Sequence, residues 1–320
     1  MIIDLHVDCI IQQRLFGYRM TRRHNAMLKG QPLVWHADIP RMRDATYVGA
    51  CLGIHYWPWE SEAGWFECNA QIDYLDQTVA QDPTVLRVTD PSDWRTAIEE
   101  NRLALGPGVE GVHMLNGRVD RIEELAARSV QYLTITHFSK NLAATPSMGR
   151  GKNETDGLTA FGKEVVAACN ANDIIIDCAH VNTPGVLDIV SASTKPVFCT
   201  HTGVKGAFNH VRNITDEELD AIAENNGVVG IMFAPVFLAG TRKASSESVA
   251  DHIEYAVDRI GDSHVGIGSD YDGWIPIPSD QRDCRDISIV RDILEKRGMS
   301  AESLDKIFGI NALEMLSRER

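Results

Sequence analysis

Asp4-Leu5-His6-Val7-Asp8 follows the apolar, β-branched opening Met1-Ile2-Ile3. Such a run reads as a buried strand. Side chains two apart on a strand leave from one face, so His6 and Asp8 are expected to project together, about 7 Å apart. Imidazole and carboxylate are both good ligands for a zinc-like ion. At the C-terminal end of a barrel strand the pair would point into the barrel mouth, where catalytic groups gather. A lone His-x-Asp is more often a hydrogen-bonded pair at a strand end, so the reading depends on what later strands bring.

Seven further short runs rich in Val and Ile follow, giving candidate strands at 2–7, 47–55, 103–111, 131–136, 173–178, 195–200, 227–233 and 264–269. Amphipathic helical patterns lie between and after them, at 69–80, 118–129, 157–171, 184–193, 216–225, 248–260, 286–297 and 301–317. Thr215-x-x-Glu218 is a capping box, and Asp90-Pro91 and Thr183-Pro184 place proline at the first helical position. Alternation of strand and helix implies an α/β fold with a parallel sheet, closed as a TIM-type (β/α)8 barrel or open and doubly wound. Eight strands favour the barrel. So does the polar pattern: His6 with Asp8, Glu110, His137, His180, His201 and Asp270 fall at the C-terminal ends of different candidate strands. In a barrel those ends meet at one mouth, whereas an open sheet spreads them along an edge. With no internal repeat or linker, residues 1–320 are expected to form one catalytic domain. The segment 11–45 reads either as an excursion over the mouth or as a solvated loop.

A hydrophobic share of 44% with 24% charged residues is ordinary globular composition, and 320 residues can bury a large core. The net charge of −14, with no long basic stretch, excludes a nucleic-acid binder. No stretch is long and apolar enough to span a membrane, and no basic-then-apolar leader opens the chain. The seven cysteines form no CxxC pair and read as reduced thiols. A cytoplasmic location is therefore expected.

Four histidines and three acidic residues at barrel-strand ends are hard to bury unless paired or bound to metal. If His6 and Asp8 hold one ion and His180 and His201 another, Glu110 can bridge them with its two oxygens, and a hydroxide can sit between. Two ions roughly 3.5 to 4 Å apart polarise a carbonyl and make a nucleophile at neutral pH. Asp270 is placed to shuttle the proton, with Asp272 as competitor and a turn-capping role as its alternative.

The ordered set Asp4-Leu-His-Val-Asp8, Gly108-Val-Glu-Gly-Val-His113, Leu133-Thr-Ile-Thr-His137, Ile176-Asp-Cys-Ala-His180, Thr200-His-Thr-Gly203, Val211-Arg-Asn-Ile214 and Gly268-Ser-Asp-Tyr-Asp-Gly273 resembles the membrane (renal) dipeptidase family, the M19 metallopeptidases of the amidohydrolase superfamily. The resemblance implies two Zn2+ per chain, held by His6, Asp8, bridging Glu110, His180 and His201. It implies that His137 contacts the scissile carbonyl oxygen, that Arg212 binds the substrate's C-terminal carboxylate, and that Asp270 relays the proton. The expected substrate is a small dipeptide, L-Xaa-L-Xaa and by extension L-Xaa-D-Xaa. The competing reading keeps the chemistry but takes another small amide, an N-acyl amino acid or a lactone. A third, non-catalytic reading is disfavoured by the completeness of the residue set. A homodimer is the candidate assembly, and the aromatics Tyr56-Trp57-Pro58-Trp59, Trp65 and Phe66 line the pocket, a subunit contact or a core beneath a long loop, the last being the preferred expectation.

Overall fold

The structure, a computed structural model, describes residues 1–25, 30 and 34–318. Nine parallel strands run in chain order: β1 (Ile2–Val7), β2 (Tyr47–Ile54), β3 (Val85–Arg87), β4 (Leu103–Glu110), β5 (Tyr132–Thr134), β6 (Ile175–Asp177), β7 (Phe198–Thr202), β8 (Val228–Ile231) and β9 (Val265–Ile267). Their spatial order is β2-β1-β9-β8-β7-β6-β5-β4, and β2 pairs with β4 from Gly49↔Ala104 to Ile54↔Val109, closing an eight-strand barrel. The eight expected strands are these eight. β3 is the ninth and was not expected. It pairs with the lower half of β4 at Leu103–Leu105, below the point where β5 takes over that edge at Gly108. Three residues are too few to carry a period, which explains its silence in the sequence.

Ile3, Leu5, Cys51, Ala104, Tyr132, Phe198 and Val228 share one buried cluster with Trp94 and with Leu313 and Leu316 of the C-terminal helix Asn311–Leu316. That cluster fills the barrel below the mouth. The remaining buried apolar residues pack the barrel's outer face against the helices.

The strand pleat alone does not aim the polar residues. Leu5 already packs into the interior cluster, so strict alternation would turn His6 outward. A register shift in β1 between Asp4 and Val7 breaks the alternation, and a second in β7 lies between Cys199 and Thr202, around His201. Bulges re-aim side chains in this way beside functional sites. Asp8 is not on the strand at all. It is the N-cap residue of the helix Cys9–Phe16, so its convergence with His6 is made by a turn rather than by the expected strand spacing.

The expected helices form, with shifted ends. The 69–80 pattern lies inside Glu62–Gln81, which starts early because the Ser61 hydroxyl accepts from the Gly64 amide. The Thr215 capping box is present ahead of Asp216–Glu224. Pro91 precedes its helix rather than opening it: Asp93–Glu99 begins two residues on. Pro184 takes the second position of Thr183–Ala192, whose cap is Asn182. No helix among the described residues is long and apolar enough to cross a membrane.

The segment 11–45 contains the end of the Cys9–Phe16 helix and the helix Ile39–Asp44; its residues 26–29 and 31–33 lie outside the described residues. The described part that approaches the mouth is anchored there. Asp272 accepts from the His36 amide at 2.7 Å and the Ala37 amide at 3.1 Å, and its own amide donates to His36 Nδ1 at 3.0 Å. Asp272 thus ties this excursion to the loop after β9. Arg41, wholly buried, locks the same region through Asp38 at 2.7 Å and Asp283 at 3.2 Å.

The barrel wall tolerates no side chain at Gly268, where a Cβ would land on the Thr200 carbonyl oxygen, a backbone atom that cannot swing away. Gly268→Ala is expected to lower the unfolding free energy by about 1–3 kcal/mol, the usual cost of overpacking. Denaturant midpoints read this directly; an unchanged midpoint would show that the strands can separate freely there.

Candidate metal centre

Glu110 ends β4 with its carboxylate 3% exposed, and the other strand ends are arranged around it. Its Oε1 lies 3.0 Å from His180 Nε2, 3.4 Å from His201 Nε2 and 3.8 Å from His6 Nε2. Oε2 faces His137 Nε2 at 3.5 Å and His55 Nδ1 at 3.6 Å. His6 Nε2 is 3.3 Å from Asp8 Oδ1. Three groups of potential ligands have converging atoms: His6, Asp8 and Glu110; Glu110, His180 and His201; and His6, His201 and Asp270. His6 Nε2 and Asp8 Oδ1 are buried with no hydrogen-bond partner, although buried polar atoms are normally satisfied. An ion between them would supply what the protein does not, so the residues fit a divalent metal.

The imidazoles are oriented from behind. His6 Nδ1 is 2.7 Å from the Tyr132 hydroxyl. With Nδ1–H donating to that oxygen, Nε2 is left as a lone pair facing Asp8 and Glu110. His201 Nδ1 is 3.0 Å from Thr200 Oγ1, which in turn donates to Asp177 Oδ2 at 2.8 Å, and Thr134 donates to the same oxygen at 2.6 Å. His201 Nε2 thereby faces the centre, 2.8 Å from His180 Nε2. His180 sits at φ 67° and Asp270 at φ 61°, left-handed positions that carry strain for residues other than glycine. Such outliers are sustained where the surrounding structure holds them, often at functional sites.

Burial pushes His137, His180 and His201 well below the ordinary imidazole range, which keeps them neutral. Burial also works against charge on His6, but the carboxylates of Asp8 and Glu110 outweigh it and raise His6 to about 10. Desolvation pushes Glu110 up to about 7 against the pull of His6. Burial and the Asp8 charge push Asp270 well above the usual carboxylate range. Asp8 goes the other way: burial is overcome by His6 and His55, which hold it well below its ordinary value. The centre is a crowd of carboxylates and imidazoles, three of the imidazoles held neutral by burial, the donor set that suits zinc-like ions.

Arg212, 2% exposed, donates through Nη2 to the His201 carbonyl at 3.0 Å, while its Nε has no partner. It lines a cavity of about 450 Å³ with His180, Ser147, Lys152 and Lys205, so the loop 141–152 helps to wall that cavity. A second cavity of about 810 Å³ opens on the other side of His137, walled by Phe16, Tyr56, Trp57, Phe138 and Trp274. The expected aromatic core is therefore corrected. Trp57, Trp59 and Phe66 are 59%, 51% and 64% exposed, and Trp57 lines the open cavity, whereas Tyr56 and Trp65 pack against the core and Tyr56 also borders that cavity.

Every residue expected at the site reaches it: His6, Asp8, Glu110, His137, His180, His201 and Asp270 surround one centre, with Arg212 beside it. His55 was missed. It follows β2 directly, and the rule that singled out the other strand-end residues would have found it.

The family model for membrane dipeptidase, peptidase family M19, matches residues 1–319. Dipeptidase verJ of Clonostachys rogersoniana is 31% identical over 298 residues, 88% of this chain and 75% of that protein. Dipeptidase tcpJ of Claviceps purpurea is 31% identical over 213 residues, 65% of this chain and 49% of that protein. The chain thus spans about half to three quarters of the length of these curated relatives. The crystal structure of dipeptidase AC, a metallopeptidase of family M19, superposes with a TM-score of 0.89 at 24% identity, over 99% of this chain and 98% of that one. A metallopeptidase from Rhodobacter sphaeroides, liganded with a phosphinate mimic of the dipeptide L-Ala-D-Ala, gives 0.88 at 23% over the same shares. At these identities the superpositions establish the shared fold.

Tyr132→Phe removes the group that orients His6 and leaves the ring's packing in place. Losing such an outer partner costs about 10–100-fold in metal affinity. That loss, with little change in melting temperature, is expected in a zinc titration against a competing chelator; parental affinity would show that Tyr132 does not set the His6 tautomer.

Proposed function

The chain belongs to the membrane dipeptidase family, peptidase family M19, and from that premise we propose that it is a zinc-dependent dipeptidase cleaving small dipeptides of L-Xaa-L-Xaa and L-Xaa-D-Xaa type. The observation that carries this reading is the convergence of two ligand groups, His6–Asp8–Glu110 and Glu110–His180–His201, on one buried carboxylate. In this reading His6, Asp8 and Glu110 would hold one ion and Glu110, His180 and His201 a second. When bound, such ions polarise a carbonyl and bring the pKa of a water to about 7.

The chain's own residues then divide the work. Arg212 receives the substrate's free carboxylate, because its planar fork suits bidentate pairing and its Nε has no other partner. That anchor sets the scissile amide beside Glu110. His137, held neutral, donates to the carbonyl oxygen as it gains negative charge. Asp270 accepts a proton from the attacking water and passes it to the leaving nitrogen, so that one water is consumed and an acid and an amine are released. The L-Ala-D-Ala mimic in the Rhodobacter sphaeroides structure supports acceptance of a D-residue. All seven cysteines are buried and none is in a disulfide, which supports a reducing, cytoplasmic setting.

A matched panel of L-L and L-D dipeptides and their C-terminal amides, given to zinc-reconstituted protein, tests the substrate class. Free acids are expected to be cleaved and amides poorly, with Arg212→Ala raising KM for the acids and narrowing that gap. Cleavage of N-acyl amino acids or lactones in place of dipeptides would favour the competing substrate class. Asp270→Asn is expected to retain metal and lose about 10²–10⁴ in kcat; near-parental turnover would remove Asp270 from the proton path.

A further inference from the structure

We propose that His55 is a protein ligand of the ion held by His6, Asp8 and Glu110, giving that ion four protein ligands against three for its neighbour. This rests on the metal-centre reading above and adds to it the residue that follows β2. His55 is buried, and its Nδ1 has no hydrogen-bond partner. That nitrogen lies 3.5 Å from Asp8 Oδ1 and 3.6 Å from Glu110 Oε2. Both separations exceed the ordinary N–H···O range of about 2.7–3.2 Å. They match a different geometry. Ligand atoms about 2.0–2.1 Å from a tetrahedral ion stand roughly 3.3–3.4 Å from one another, close to these values and to the 3.3 Å between His6 Nε2 and Asp8 Oδ1. His6 Nε2, Asp8 Oδ1 and His55 Nδ1 are all buried, all unpartnered and joined through Asp8 at ligand–ligand spacing.

The surroundings are built for this approach. Two residues earlier, Gly53 leaves open the space where a Cβ would press on Asp8 Oδ1 and the His6 ring. The His55 backbone is pinned by Gln71, buried in the helix Glu62–Gln81, whose Nε2 donates to the His55 carbonyl at 2.8 Å. A four-ligand shell is the arrangement of retained ions, whereas a three-ligand shell leaves a position for water or substrate. The two ions therefore have unequal parts: the one beside His55 is held, and the one on Glu110, His180 and His201 is open to exchange.

The test is metal content after dialysis, the d–d absorption spectrum of the cobalt-loaded protein, and chelator competition, for the parent, His55→Ala and His55→Gln. Glutamine can still hydrogen-bond Asp8 but supplies no imidazole. The parent is expected to hold two ions of unequal chelator resistance. Both variants should lose roughly 100-fold or more in affinity for the tighter ion, exceeding the loss from an outer partner, with an altered cobalt spectrum and an unchanged apo-protein melting temperature. Two ions, parental affinity and a parental spectrum in both variants would overturn the assignment and leave the metal centre standing. Parental behaviour in His55→Gln alone would also overturn it, by reducing His55 to a hydrogen-bonding role. A parent that binds no ion would overturn the metal-centre reading itself.

Discussion

Glu110 carries a carboxylate into a space almost closed to water, where five imidazole nitrogens lie within 3.8 Å of its two oxygens. A buried charge is costly unless it is paired or ligates a metal. Here the pairing groups are themselves mostly neutral, because burial holds His137, His180 and His201 below their ordinary range. The protein's own hydrogen bonds leave His6 Nε2 and Asp8 Oδ1 beside it unsatisfied. A divalent cation shared across Glu110 would, and the geometry of the whole mouth is consistent with serving that one carboxylate.

The barrel brings the strand ends together, but local departures from regular structure do the aiming. Register shifts in β1 and β7 accompany His6 and His201. Left-handed backbone places His180 and Asp270. The turn after β1 delivers Asp8. Behind them, Tyr132 and the Asp177–Thr200 pair fix which imidazole nitrogen faces the centre. Below, packed Leu5, Tyr132 and Phe198 make the floor rigid, so these departures are held in place rather than averaged out.

Much of this was legible in the residues. Eight Val- and Ile-rich runs gave the barrel strands, since a fully buried parallel strand must be apolar throughout. Polar residues at their ends then stood out, because so many histidines and carboxylates at the close of such runs are hard to bury unless paired or bound to metal. What was not legible depends on tertiary context. β3 is three residues long and exists only as an addition to β4. A bulge leaves no mark in a sequence read at a period of two, so the simple spacing argument for His6 and Asp8 reached the right pair through an incomplete geometry. Trp57 read as core because aromatics usually are; its exposure depends on the cavity it faces. Asp272 and Asp270, two residues apart, could not be separated until His36 was seen to occupy one of them.

Anomalous diffraction from zinc-grown crystals, collected on both sides of the zinc absorption edge, tests the central claim most directly. The account predicts two peaks roughly 3.5 to 4 Å apart, one on either side of the Glu110 carboxylate. A single peak, or peaks away from Glu110, would contradict it.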